Sequence, residues 1–442
     1  MKKLLRTLCL ALLVLLLTGC TSWNCRINKT PVAKYTIVYD PAAPDYNQRA
    51  AEYIAAEILA RTGIEVPVLP AGDTVYDHEI VVGQTNRPIS QLLDADTVGM
   101  EFALLSEGDH IALEGDYFLI AAAAYYFVDT YIPGEKFQSE IPSGITVRTP
   151  ETQPTRNVVF LIGDGMGFGQ TELFSTMTPS EEVLYYDGED IFYGYYLPYQ
   201  GKLRTDSLSG VTDSAAGATA LACGYKTVDG RVGRDENGED VQSLTELAAR
   251  LGMATAVMST DSLVGATPAG FSAHADNRDD SSVISKYQQK LLQHQGTILD
   301  CGLNGTRSYQ QHITDNLQKL EEDETGFFIM YEEGHIDKHS HNWELQETFD
   351  CMVRFNQAIG VFMEHALYHP DTLVLITADH ETGGLLQGED GKYGYTYGEH
   401  TDADVPIFAW GQGAEAFDNF YEENNYVPKV IAALWGIDDF GQ

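Results

Sequence analysis

Residues 158–167 read VVFLIGDGMG, a short apolar run that stops at Asp164, held between two glycines. A run of this length, rich in β-branched residues and closed by a Gly-Asp-Gly turn, predicts a strand buried on both faces. The pattern recurs three times. TAVMSTDSLVGATP (255–268) brings Thr267 a few residues beyond its apolar run, FFIMYEEGHID (327–337) leads to Glu332 and Asp337, and TLVLITADHETGG (372–384) leads to Asp379 and His380. Between the runs lie segments of helical spacing, such as SLTELAARLG (243–252) and NQAIGVFMEHAL (356–367). Strands alternating with helices predict βα units and a mainly parallel sheet, with ligands bound beyond the carboxyl ends of the strands. One Asp at a strand end is an ordinary turn residue, but a parallel sheet would gather all of these side chains at one edge.

The chain has 442 residues, enough for two or three domains, and its 44% hydrophobic content supplies a sizeable core. Residues 1–19 join a basic start (Lys2, Lys3, Arg6) to an apolar stretch, the composition of an export signal. Leu17-Thr18-Gly19-Cys20 resembles a bacterial lipobox. That implies a lipid anchor on Cys20, a polar tether over residues 20–31, and a place on the extracytoplasmic side of a bacterial membrane, in the periplasm or at the cell surface. A plain secretory signal or a short transmembrane anchor is the competing reading. The formal net charge is −38, and cleavage before Cys20 would take it to −41 by removing Lys2, Lys3 and Arg6. Such a surface repels nucleic acid and anionic lipid, so a site for an anionic substrate must make its own positive potential from metals, arginine or helix ends. Cys20, Cys25, Cys223, Cys301 and Cys351 show neither CxxC spacing nor a dense framework, which argues against a thiolate zinc site and a disulfide scaffold.

Residues 32–149 carry a small α/β pattern of their own. AKYTIVYD (33–40) and HEIVVGQT (78–85) are strand-like, NQRAAEYIAAEILARTG (47–63) and FLIAAAAYYFVDTYI (118–132) helical, and EFALLSEGDHIALEGD (101–116) hairpin-like. This module resembles accessory domains found ahead of some carbohydrate-active enzymes, the α-glucuronidase type among them. It holds no catalytic constellation, and a spacer and a glycan-binding role are both open. TPETQPTR (149–156) has the composition of a linker and sets the boundary at residues 150–156, after which residues 157–442 form the larger domain.

In that domain VTDSAAGATALACGYKT (211–227) puts Ser214 directly after Asp213 at the start of an alanine-rich helix. Free N–H groups and the dipole at a helix start favour an anion, and Ala and Gly leave room for one; yet Thr212, Asp213 and Ser214 are also good helix caps. HIDKHSH (335–341) offers His335, Asp337, His339 and His341, TADHE pairs Asp379 with His380, and His400 stands in GEHTDADVP. Imidazole with carboxylate suits zinc, whereas Asp, Glu and Thr oxygens alone suit magnesium.

GDGMG, TDSAAGATA, ATPAGFSAHADNR, EEGHIDKHSH, TADHETGG and HTDADVPIFAWG, in this order, closely resemble the motif series of the alkaline phosphatases. The resemblance implies a three-layer α/β sandwich around a mainly parallel sheet, preceded by the small α/β domain. It implies one zinc ion on Asp337, His341 and His400, a second on Asp164, Asp379 and His380 facing Ser214, and a magnesium ion on Asp164, Thr267 and Glu332. By the same match Arg278 clamps the substrate's phosphate, Asp213 orients Arg278, Lys338 lies on the substrate side, and His335 and His339 are not ligands. The activity implied is hydrolysis of small-molecule phosphate monoesters to an alcohol and inorganic phosphate, through a phosphoserine on Ser214.

Two features depart from the family pattern. Gly265 stands where some members carry Asp or His, two residues before the magnesium-site hydroxyl, and residues 381–399 are too few for the surface domain that some members insert near their dimer axis. A homodimer is therefore an open question. Thr267, Glu332 and Arg278 favour monoesters over a phosphodiesterase or other hydrolase on the same two-metal scaffold, and the retention of nucleophile, clamp and ligands argues against a non-catalytic lipoprotein that binds phosphate or metal.

Overall fold

A computed structural model describes residues 25–41, 45–93, 97–180, 183, 190–301 and 309–442. The expected export signal, 1–19, and the anchor residue Cys20 lie outside the described residues. The chain divides into two compact units, Met1–Glu151 and Thr152–Gln442. Among the described residues no helix is long and apolar enough to cross a membrane, and the cysteines are free thiols.

In the first unit a six-stranded sheet runs in the order Val68–Pro70, Thr36–Tyr39, Glu79–Val82, His110–Glu114, Phe102–Glu107, Gly144–Arg148. The first four strands are parallel, and each of the last two is antiparallel to the strand before it. Helices Asp45–Thr62 and Leu119–Tyr131 pack on each other. The tether expected at 20–31 is corrected over its described part: Cys25–Ile27 and Thr30–Pro31 are strands in a small sheet with Phe137–Ser139. The physical reason is that Cys25 and Ile27 are fully buried on either side of a partly exposed Arg26, an alternation too short to stand out in a polar segment. The linker expected at 150–156 is also shorter than read. Gln153 N and Arg156 N donate to Pro370 O (2.7 Å) and Asp371 O (2.8 Å), which ties the chain from residue 152 onward into the second unit.

The second unit is built on eight strands, β1 (Asn157–Gly163), β2 (Tyr199–Arg204), β3 (Ala254–Ser259), β4 (Thr297–Asp300), β5 (Phe327–Glu333), β6 (Thr372–Thr377), β7 (Val405–Trp410) and β8 (Tyr421–Glu423). Their spatial order is β4-β3-β5-β1-β6-β7-β2-β8. β4, β3, β5, β1 and β6 are parallel neighbours, and β7 is antiparallel to both β6 and β2. β1, β3, β5 and β6 are buried along their whole length, because helices cover both faces of the sheet in an α/β sandwich. The helices are α1 (Phe168–Glu172), α2 (Ser214–Cys223), α3 (Leu244–Arg250), α4 (Ala266–Ser272), α5 (Ser281–Leu291), α6 (Tyr309–Leu320), α7 (His335–His341), α8 (Leu345–Tyr368) and α9 (Val427–Leu434). Register sets Ile162 beside both Glu332 and Thr377, and Ser259 beside Glu332. The four central strands therefore end level, and Asp164, Asp261, Glu332 and Asp379 leave the sheet at one edge.

The core of the first unit contains one ion pair whose energetics can be tested. Arg87 Nε and Glu79 Oε2 lie 2.9 Å apart with both side chains at most 2% exposed, and the guanidinium also donates to Gly72 O and Thr74 O. Removing one partner leaves the other charged and unpaired in a low dielectric, so Glu79→Ala should destabilise this unit by about 3–5 kcal/mol in urea unfolding. A Glu79→Met, Arg87→Met double substitution should cost less than the single one, because no orphan charge remains.

Candidate metal centre

Helix α2 begins at Ser214 and is capped by Asp213, whose Oδ1 accepts from Ala216 N (3.0 Å). The two readings of this segment thus fall to neighbouring residues: Asp213 is the cap and Ser214 the first helical residue. Ser214 is buried, with Oγ 3.2 Å from His380 Nε2. The cap's second oxygen, Oδ2, accepts from Gly230 N (3.0 Å) and from Arg278 Nη1 (3.1 Å), so one carboxylate both starts the helix and orients the guanidinium. α2 is buried all round, as its Ala-rich composition permits. Gly217 lets it close on the chain leaving β6: a Cβ there would stand 2.9 Å from Asp379 O.

Asp337, His341 and His400 offer ligand atoms within 4.8 Å of one another, and so do Asp164, Asp379 and His380. Asp337 and His341 lie one turn apart on α7, Asp164 follows β1, and Asp379 and His380 follow β6. His400 arrives through the short segment 381–399. Glu381–Thr382 pairs antiparallel with His400–Thr401, and the rings of His380 and His400 stack with centroids 3.6 Å apart. Each imidazole is held through Nδ1: His341 by Gly398 O (2.8 Å), His400 by Thr212 O (2.8 Å) and His380 by Thr382 Oγ1 (3.2 Å). Each Nε2 then faces the carboxylates. His341 and His400 stand 3.3 and 3.5 Å from Asp337 Oδ1, and His380 stands 3.5 Å from Asp164 Oδ1 and 3.4 Å from Asp379 Oδ2.

These spacings test whether zinc fits. With zinc bonds of about 2.0–2.1 Å, the edge of a tetrahedron of ligands is about 3.3–3.4 Å, close to the separations in both sets. Asp164 Oδ1 and Asp379 Oδ2, the oxygens facing His380, are buried without a hydrogen-bond partner, while Asp379 Oδ1 accepts from Gly165 N and His380 N. Thr267, in the first turn of α4, has a buried hydroxyl turned toward Glu332, and Glu332, whose charge reaches Asp164, accepts from Ser259 Oγ. Oxygen donors alone make Asp164, Thr267 and Glu332 a magnesium-type set.

Electrostatics point the same way. Burial, with the charges of Asp379 and Asp337, pushes the Asp164 carboxyl well above the usual range. Burial and the Asp337 charge push Asp379 up to about 8, and burial pushes Glu332 up to about 7. Burial holds the His380 imidazole well below its usual value. It opposes the charge on His400 as well, but the contact with Asp337 raises that group to about 9; Asp337, in spite of burial, is held low by the same contact. Buried acids crowded in this way shed their conflict when divalent cations bind between them.

Three residues around these sets were not singled out in the sequence. Thr382 Oγ1 donates to Asp337 Oδ1 (2.5 Å) and so receives His380 Nδ1–H, which leaves His380 Nε2 with its lone pair and joins the two zinc-type sets through one hydroxyl. Ser259 holds Glu332. Asp261 pairs with Lys338 Nζ (2.7 Å), and a Cβ at Gly265 would stand 3.6 Å from Asp261 Oδ2. A carboxylate thus lies beside position 265 although Gly265 carries none. Each of the three lies close to a strand end already marked by a ligand, and that nearness was the available signal. His335 Nδ1 lies 3.2 Å from Thr260 Oγ1 and His339 Nδ1 2.7 Å from Glu344 Oε2, and neither ring belongs to a ligand set.

Residues 155–307 and 302–395, more than half of the chain, match the family model for alkaline phosphatase. The chain belongs to the alkaline phosphatase family. The match begins only after the first unit has ended. Alkaline phosphatase 3 of Bacillus subtilis (strain 168) is 28% identical over 296 residues, which cover 54% of this chain and 64% of that relative, just under two thirds of its length. The alkaline phosphatase of Escherichia coli (strain K12) is 37% identical over 129 residues, 28% of this chain and 27% of that one. The solved alkaline phosphatase from the Antarctic bacterium TAB5 aligns with a TM-score of 0.55 and 26% identity, covering 66% of this chain and 100% of its own. A variant of that enzyme has been solved with Mg bound in its M3 site.

Two outcomes follow from the centre. Asp379 and His400 hold protons in the metal-free fold up to about pH 8 and 9, which the unfolded chain sheds at about 3.9 and 6.5. Chelator-treated protein should therefore lose stability as pH rises from about 6.5 to about 8, where His380 no longer offsets the loss, and added zinc and magnesium should reverse it. Tm against pH, with and without metal, checks this. Gly217→Ala should favour an isolated helix by about 1 kcal/mol yet weaken zinc binding by roughly tenfold to a hundredfold, read by competition with a chelator, because its Cβ must push on Asp379.

Proposed function

We propose that this chain hydrolyses phosphate monoesters through a phosphoserine on Ser214. The observation that carries the reading is Ser214 Oγ standing 3.2 Å from His380 Nε2, at the start of a helix whose cap also holds Arg278. Asp337, His341 and His400 would hold one zinc ion, Asp164, Asp379 and His380 a second, and Asp164, Thr267 and Glu332 a magnesium ion. Bound there, these ions supply Lewis acidity to the serine oxygen, the leaving oxygen and an attacking water.

Ser214 Oγ attacks phosphorus from one side while the bond to the alcohol oxygen breaks on the other. Arg278 contacts two non-bridging oxygens through its planar fork, and the Asp213 carboxylate restricts the rotation of that fork. Unpaired N–H groups in the first turn of α2 add positive potential where the phosphoryl group sits. Water then attacks the phosphoserine from the side the alcohol vacated, which frees inorganic phosphate, restores Ser214 and retains configuration at phosphorus. Lys338, tethered by Asp261, adds a cation on the substrate side. In a chain of net charge −38, these local positive groups are what admit an anion.

Family membership supports phosphoester hydrolysis, and the joint presence of Arg278, Thr267 and Glu332 favours monoesters over diesters. Ser214→Ala should abolish the acid-trapped phosphoenzyme and lower kcat by roughly a thousandfold or more while the zinc content stays the same. Arg278→Ala should lower kcat/KM by roughly a hundredfold to a thousandfold. Steady-state kinetics with p-nitrophenyl phosphate measures both, and a higher kcat/KM for bis(p-nitrophenyl) phosphate would overturn the monoester reading.

A further inference from the structure

Away from this centre, Glu321, His365 and His369 also bring three ligand atoms within 4.8 Å of one another. His365 lies in the last turn of α8 and His369 caps that helix four positions later, so their rings stack with centroids 4.3 Å apart and planes at 15°. Glu321, just past α6, meets both: its Oε1 is hydrogen-bonded to His365 Nε2 and lies 3.3 Å from His369 Nε2. The Phe327 ring packs against His365, whose side chain is 8% exposed, whereas those of His369 and Glu321 are 41% and 34% exposed. One donor is thus fixed in the core while the other two face solvent, which provides an entry path and room for water as a further ligand. Arg156, whose charge reaches His369, is paired with Asp371 at 2.8 Å and so presents little net charge to an incoming cation.

We propose that Glu321, His365 and His369 form a separate site for a divalent transition-metal ion of the zinc class. Two imidazoles and one carboxylate suit zinc, cobalt, nickel or copper, and they are a poor set for magnesium or calcium, which take oxygen. The His369–Glu321 spacing matches the edge of about 3.3–3.4 Å expected between donors on zinc. β5 begins shortly after Glu321 and β6 shortly after His369, and these two strands flank β1. An ion here would clip together their amino ends, while the zinc-type sets hang from their carboxyl ends. The site is a staple on the fold, outside the reaction, and it stands independently of the proposed activity.

Zinc alone is the probe. Full-length wild type, His369→Ala and Glu321→Gln are equilibrated with excess zinc, desalted, counted for metal by plasma mass spectrometry and scanned for Tm. Each variant should hold one zinc per chain fewer than wild type and lose several degrees of the zinc-dependent rise in Tm, with turnover of p-nitrophenyl phosphate unchanged. Equal zinc counts in the three proteins would overturn the proposal. So would a lower count accompanied by lost turnover, because the missing ion would then belong to the Ser214 centre. Should His369→Ala fail to fold, the near-isosteric Glu321→Gln decides by its zinc count. If wild type itself turns over no phosphoester, the proposed function fails while the zinc counts still decide this site.

Discussion

Four carboxylates, those of Asp164, Glu332, Asp337 and Asp379, are buried together at the edge where β1, β5 and β6 end, and their mutual repulsion governs what surrounds them. Like charges a few ångströms apart in a low dielectric cannot all ionise unless cations stand between them. The histidines answer one part of this demand. Each is pinned through Nδ1 by a carbonyl or hydroxyl, so that its Nε2 meets a carboxylate at about the spacing of ligands on zinc. The unpartnered carboxylate oxygens of Asp164 and Asp379 answer another, because buried acceptors without donors are costly unless an ion occupies the space between them.

Close approach of backbone makes that crowding achievable. Gly165, at φ +75°, passes where a Cβ would stand 2.8 Å from Thr382 Oγ1 and 2.9 Å from Asp337 Cα. Gly217 does the same for α2 against Asp379, so the first turn of a buried helix faces His380. Asp213 then performs two tasks with its two oxygens, and Ser214 and Arg278 are held relative to each other through one rigid carboxylate. On a chain of net charge −38, Arg278 and Lys338 are cations set beside four buried carboxylates, and each is itself paired with an aspartate, so this edge depends on bound cations to offset its own acids.

The first unit follows a different economy. Its sheet and its buried Arg87–Glu79 pair form a core of their own, and the family match begins only at residue 155. In the second unit, Glu321, His365 and His369 repeat at the amino ends of β5 and β6 the imidazole–carboxylate chemistry found at their carboxyl ends. The same two strands are thereby bounded by metal-type donors at both ends.

Unbroken apolar runs revealed β1, β3, β5 and β6 because strands covered on both faces carry no polar alternation, and that pattern is local in the sequence. The ligand types were legible for a similar reason, since His335, Asp337, His339 and His341 fall within seven residues and Asp379 and His380 are adjacent, but the choice among them came from the resemblance to the alkaline phosphatases. Composition misled at Cys25–Ile27, where two buried side chains are too few to mark a strand within a polar segment. Other features depend on contacts across more than forty residues and could not be read locally: Thr382 bonded to Asp337, Asp261 paired with Lys338, and Glu321 joined to His365. Sequence by itself determined which residues could carry the chemistry and that they would converge on one sheet edge. Sheet register and the close approach of α2 decided which oxygen caps, which faces a metal set and which is left without a partner, because those choices follow from three-dimensional spacing that no local period encodes.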